Sequence, residues 1–115
     1  MALEAVGLII STLQALRQLG DDLASSNDSC KLLISHCEIL AQPVNQINEN
    51  RDLLDANSHA LQNALSLLVE CRNFCTKFKK RNFFDKIGHK NRDKEMFTVL
   101  HHKMDIAAGL FTLQV

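Results

Sequence analysis

The chain has 115 residues, less than a typical domain length, and its 13 Lys+Arg balance 13 Asp+Glu. A formal net charge of zero argues against a protein that coats nucleic acid through bulk charge, and a hydrophobic content of 46% excludes a disordered tail. The absence of Trp and Tyr, with one Pro and four Gly, disfavours a turn-rich sandwich or barrel and favours long helices.

The opening Met1-Ala2-Leu3-Glu4 carries an acid and no basic n-region, so it does not read as a secretory signal. No apolar run reaches the roughly 18 residues of a membrane span. The four cysteines include no C-x-x-C pair. Without a signal, the expected compartment is the cytoplasm, where thiols stay reduced. Residues 1–115 are expected to form one domain, the N-terminal part of a larger protein.

Four segments show helical apolar spacing. In the first, Val6, Ile9, Leu13, Leu16 and Leu23 share a stripe that Leu3 and Ile10 broaden. Gly20 and Asp21-Asp22 interrupt it, and residues 24–28 read as a loop. Asn27 or Asp28 is the expected N-cap of the second helix. Its seam is Cys30, Leu33, Cys37, Leu40, Val44 and Ile47. Pro43 removes the amide bond back to Ile39 and predicts a kink. Residues 48–51 read as the next turn. The third helix follows, with Leu61, Ala64, Leu68, Cys71, Cys75 and Phe78 on its seam and a polar end at 79–82. Residues 83–88 form a short connector. Asn91 is the expected cap of the last helix, with Asp93 and Glu95 in its first turn. Its stripe is Phe97, Leu100, Met104, Ala107 and Phe111. Helices of roughly 30–40 Å joined by short links predict an all-α, antiparallel up-down four-helix bundle. Its second helix is kinked, and a short basic-aromatic connector precedes its last helix.

Zero net charge hides segregation. Residues 72–94 hold nine basic side chains (Arg72, Lys77, Lys79, Lys80, Arg81, Lys86, Lys90, Arg92 and Lys94) against Asp85 and Asp93, an excess of seven. In a bundle these residues meet at one pole, with Phe83, Phe84 and Ile87 among them. A few cations at a helix C-terminus merely complement its dipole, but nine exceed that need. The cluster predicts a surface for anionic phospholipid, at about 1 kcal/mol per Lys or Arg close to an acidic membrane. The lipid-binding candidates are Lys77, Lys79, Lys80, Arg81, Lys86, Lys90 and Arg92, and nearby Phe side chains add interfacial burial. Nucleic acid is not expected as the partner, because no helix-turn-helix, RNP or zinc-finger pattern accompanies the charge.

Catalytic signals are absent. There is no G-x-S-x-G, P-loop, H-E-x-x-H or framed carboxylate pair, so no enzyme activity and no cofactor is expected. The cysteines fall on helical seams and read as small core hydrophobes. A metal site drawn from Cys37, Cys71, Cys75 and one of His36, His101 or His102 lacks the tight knuckle spacing of zinc sites.

The layout resembles the N-terminal four-helix domains of cell-death proteins. These are the executioner domain of the mixed-lineage-kinase-domain-like pseudokinase, the fungal HeLo and HeLo-like domains, and the coiled-coil domains of plant immune receptors. The resemblance covers nearly the whole chain. It rests on the apolar first helix beginning at Met1, on Cys30-Lys31-Leu32-Leu33, and on Gln42-Pro43-Val44. It also rests on the connector Phe78-Lys79-Lys80-Arg81-Asn82-Phe83-Phe84 and on the closing Gly109-Leu110-Phe111-Thr112-Leu113-Gln114-Val115. The resemblance implies membrane permeabilisation in regulated cell death. Such a domain is restrained by a C-terminal regulatory module, then self-associates as a homo-oligomer and moves from the cytoplasm to the plasma membrane. It makes Leu3, Glu4, Val6, Ile9, Ile10, Leu13, Phe83 and Phe84 the membrane-insertion candidates, with Glu4 chosen by its position in the first helix. One departure stands out: residues 1–50 carry two basic and six acidic side chains, whereas several relatives are basic there. Lipid contact must therefore fall to residues 72–94. The alternative is a helical signalling or adaptor module whose acidic first half associates with the basic second half of another copy, without membrane activity.

Overall fold

The computed structural model describes residues 2–23 and 27–113, apart from the side chain of Phe83. Met1, residues 24–26 of the loop expected at 24–28, the Phe83 side chain and residues 114–115 lie outside the described residues. The described chain is all-helical. The α-helices are α1 (Ala2–Asp22), α2 (Asp28–Cys37), α3 (Ala41–Glu49), α4 (Ser58–Lys80), α5 (Phe83–Gly88) and α6 (Lys90–Gly109). Short 3-10 segments at Glu38–Leu40, Arg51–Leu53 and Asp55–Asn57 link α2 to α3 and α3 to α4.

The apolar seams direct the packing. α1 lies against α4, α2 and α3; α6 lies against α4 and α2. Val6, Ile9, Leu13 and Leu16 of α1 enter one continuous core with Leu33, Leu40, Ile47, Leu61, Leu68, Leu100 and Met104. The molecule is rod-like, 51 × 23 × 20 Å, with a radius of gyration of 15.1 Å, against about 13 Å for a spherical domain of this length.

Three local features differ from the sequence expectation. The second predicted helix is two helices, of 10 and 9 residues, separated by the 3-10 turn at Glu38–Leu40. The Pro43 ring clashes with the carbonyl four residues back, that of Ile39, and the chain tightens there to move it aside. Pro43 itself sits in the first turn of α3, where a missing N–H costs nothing. The connector at 83–88 is itself helical, because the Asn82 Oδ1 accepts the Asp85 N–H at 2.8 Å and caps α5. Finally, Asn91 is not the cap of the last helix. α6 already begins at Lys90 behind His89, and Asn91 lies inside it.

Polar contacts tie the elements together. Arg17 of α1 donates from Nε and Nη2 to both carboxylate oxygens of Glu38, at 2.6 and 2.8 Å. The fully buried Asn57 clamps the C-terminal segment to the start of α4: its Nδ2 donates to the Thr112 and Leu53 carbonyls, each at 2.8 Å, and its Oδ1 accepts the Thr112 N–H at 2.7 Å. Among the described residues no buried side-chain nitrogen or oxygen lacks a hydrogen-bond partner.

Candidate functional site

α4, α5 and α6 bring the basic stretch to one end of the rod. α4 ends at Lys80 as Arg81 turns extended. The Arg81 guanidinium then reaches the Asp93 carboxylate of α6, a pair that closes the turn around α5. Asp93 is buried, so this pair gives Arg81 a structural role. Lys86 of α5 is also held: its Nζ donates to the Asn27 Oδ1 at 2.8 Å and stands 4.9 Å from the centre of the Phe78 ring.

The remaining lipid-binding candidates face outward. Lys77, Lys79, Lys80, Lys90 and Arg92 are exposed, and so is Lys94. The membrane-insertion candidates divide. Val6, Ile9 and Leu13 are buried in the core, and Ile10 is partly buried. Leu3 and Glu4 are exposed on α1. On the basic pole, Phe84 is 79% and Ile87 58% exposed.

A feature that the sequence reading missed lies beside these lysines. A groove of about 690 Å³ runs between α2, α5 and α6, within the roughly 300–1,000 Å³ of small-molecule sites. Its apolar walls come from Leu32, Phe78, Ile87 and Phe97, and Lys86, Lys90 and Lys94 stand along one part of its rim. Phe74, Phe78 and Phe97 form an edge-to-face cluster beneath it, with Phe97 centred 4.9 Å from Phe74 and 5.4 Å from Phe78. The sequence signal was the i, i+4 ladder of Lys86, Lys90 and Lys94. Leu32 comes from a distant helix, which no local pattern announces.

The thiols and imidazoles are internal fastenings. All four cysteines are buried and free. Cys30 adjoins Cys75, and Cys37 adjoins Cys71, so the pairs run across helices rather than along one face. The hydrogen bond with the partner thiol, then burial, push the Cys37 and Cys75 thiols up, which keeps them protonated. His36 and His101 join α2 to α6: their rings stack with centres 4.9 Å apart, and their Nδ1 atoms lie 2.6 Å apart. The His36 Nε2 is 2.8 Å from the Asp105 Oδ1. Burial, then the charge of His36, lower the pKa of His101, and Asp105 opposes them.

No group of three or more His, Cys, Asp or Glu among the described residues is arranged to hold a metal ion. No described helix is long and apolar enough to cross a membrane. Searches against family models, curated proteins and solved structures found no match.

Proposed function

We propose that the α4–α5–α6 pole binds anionic phospholipid, and that the chain is a membrane-permeabilising effector domain of regulated cell death that acts as a homo-oligomer. One observation carries the reading: Lys77, Lys79 and Lys80 at the end of α4 and Lys90, Arg92 and Lys94 at the start of α6 are all exposed, and so are Phe84 and Ile87 of the α5 between them. At about 1 kcal/mol for each cation near an acidic surface, half of the six hold a monomer by roughly 3 kcal/mol. That is weak and reversible. An oligomer multiplies the sites and converts weak contacts into stable attachment. The likeness to HeLo-type and mixed-lineage-kinase-domain-like domains extends the reading to restraint by a C-terminal module and to action at the plasma membrane. In the same reading, α1, the α2–α3 pair, α4 and α6 are the four staves of an antiparallel up-down bundle, and α5 is its basic-aromatic connector.

The test is co-sedimentation with, and dye release from, vesicles with and without phosphatidylserine. Binding should require the acidic lipid and weaken with salt. Lys77→Glu, Lys79→Glu and Lys80→Glu together should weaken it by about 100-fold or more, since three lost contacts of about 1 kcal/mol amount to two decades. Helicity should be unchanged, because all three side chains are exposed. Equal binding to neutral and acidic vesicles, or no effect of the triple reversal, overturns the assignment.

A second reading, an oligomerising adaptor without lipid affinity, draws on the exposed Leu8 of α1 and the exposed Val99 and Ile106 of α6. It expects sedimentation mass to rise with concentration while vesicles stay unbound.

A further inference from the structure

Resting on the lipid-binding reading of the pole, we propose that the groove between α2, α5 and α6 takes one acyl chain of an anionic single-chain amphiphile, with its head group at Lys90 and Lys94. Three observations converge. The walls are apolar: Leu32, 65% exposed, and Ile87, 58% exposed, line the groove together with Phe78 and Phe97. Two large aliphatic side chains left in water beside an aromatic floor make a surface suited to a hydrocarbon chain.

The charge is arranged for one orientation. Lys90 and Lys94 share a face of α6 at i, i+4, and both are exposed at the groove. The start of α6 adds its positive dipole end beside Lys90. Asp93, the carboxylate along the groove, is neutralised by Arg81, so the cations are unopposed there. Lys86 is held by Asn27 and Phe78 and serves as wall rather than as ligand.

The length fits. The groove follows α6 from Lys90 to His101, roughly 16 Å at 1.5 Å per residue. One leaflet of a bilayer, half of a hydrocarbon core of about 30 Å, gives an acyl chain about 15 Å long. An anion at Lys90 therefore leaves its chain running along Phe97 and ending near His101.

The experiment titrates the chain with oleoyl lysophosphatidate below its micelle concentration, followed by calorimetry. Glycerol 3-phosphate supplies the head group alone, and oleoyl lysophosphatidylcholine supplies the chain without net charge. The expected result is one lysophosphatidate per protein, with both controls at least tenfold weaker. Ile87→Asp and Leu32→Asp should each weaken lysophosphatidate at least tenfold, as should the Lys90→Glu, Lys94→Glu pair. Wild-type methyl shifts of Leu32 and Ile87 during the titration locate the chain even where a variant folds poorly. Equal binding of glycerol 3-phosphate, or lysophosphatidate binding that leaves those methyls unmoved, overturns the inference. So does an Ile87→Asp variant that lowers sedimentation mass and leaves lysophosphatidate binding intact, which makes the groove an interface between copies. Vesicle binding separates this inference from the reading beneath it. Acidic vesicles bound without lysophosphatidate binding defeat the groove alone, and lysophosphatidate bound without vesicle binding defeats the membrane reading alone.

Discussion

The helices at the two extremes of attachment are α1 and α5. α1 places Val6, Ile9, Leu13 and Leu16 in the core at 2% exposure or less. α5 has no buried side chain among those described, and it is fastened by its Asn82 cap, by Lys86 on Asn27, and by the Arg81–Asp93 pair behind it. Releasing α1 exposes four large aliphatic side chains at about 1.5–3 kcal/mol each, roughly 6–12 kcal/mol in all. That is comparable to the whole stability of a domain, about 5–15 kcal/mol. Displacing α5 breaks polar contacts and little apolar burial. On the lipid-binding reading proposed above, first contact with a membrane falls to the α5 pole. Insertion of Val6, Ile9 and Leu13 requires lipid or oligomer contacts strong enough to replace most of the core.

The contrast can be broken by substitution at matched residues. Ile9→Ala should cost about 2–5 kcal/mol, as a large-to-small change in a closed core does. Ile87→Ala should stay within about 0.5 kcal/mol, as exposed changes do. Urea unfolding of both variants measures the difference, and similar losses would remove the distinction between a load-carrying α1 and a loosely held α5.

The fastening of α5 is sharpened by Arg81→Ala. It leaves the Asp93 carboxylate, with a side chain 7% exposed, without its cation. The loss should be about 3 kcal/mol, the lower end for breaking a buried pair, because Arg81 retains 23% exposure. Adding Asp93→Asn should recover part of that loss, since the uncompensated charge is then gone. Additive losses in the double variant would mean that the two groups act separately.

The limits of the sequence reading follow the same division. The seams of α1, α2–α3 and α4 were legible because burial repeats every three or four residues. Cys30, Leu33, Cys37, Leu40, Val44, Ile47, Leu61, Ala64 and Leu68 are all in the core. The concentration of basic residues in 72–94 is legible because segregation along the chain needs no tertiary information. What escaped was non-local. Phe78 and Phe97 fit the periodic stripes, yet they are only partly buried and form the floor of a groove closed by Leu32. Sequence alone places Arg81 among the surface cations, whereas the fold buries Asp93, twelve residues on, against it. Asn57 lies 55 residues from the Thr112 it clamps. The break at Glu38–Leu40 precedes Pro43 because the steric demand of a proline falls on the turn before it.

The smallest expected effect lies where α2 meets α6, between the two regions compared. The folded state holds the pKa of His101 below its ordinary value, through burial and then the neighbouring His36. The unfolded chain takes up that proton near pH 6.5, and the folded chain resists it. Stability is therefore fully present above about pH 6.5, and it is lost as pH falls below that and through the folded value. The geometry gives the reason: the His36 and His101 Nδ1 atoms are 2.6 Å apart, so one of them must offer a lone pair to the other. Protonating both turns the contact into two opposed N–H groups. His101 is only partly buried, so the expected change is a fall in Tm of a few degrees between pH 7.5 and 5.0. His101→Gln should flatten that slope, because it removes the group that titrates. A wild-type Tm that is level across this range would show that Asp105 compensates the second proton, and that the α2–α6 contact tolerates acid.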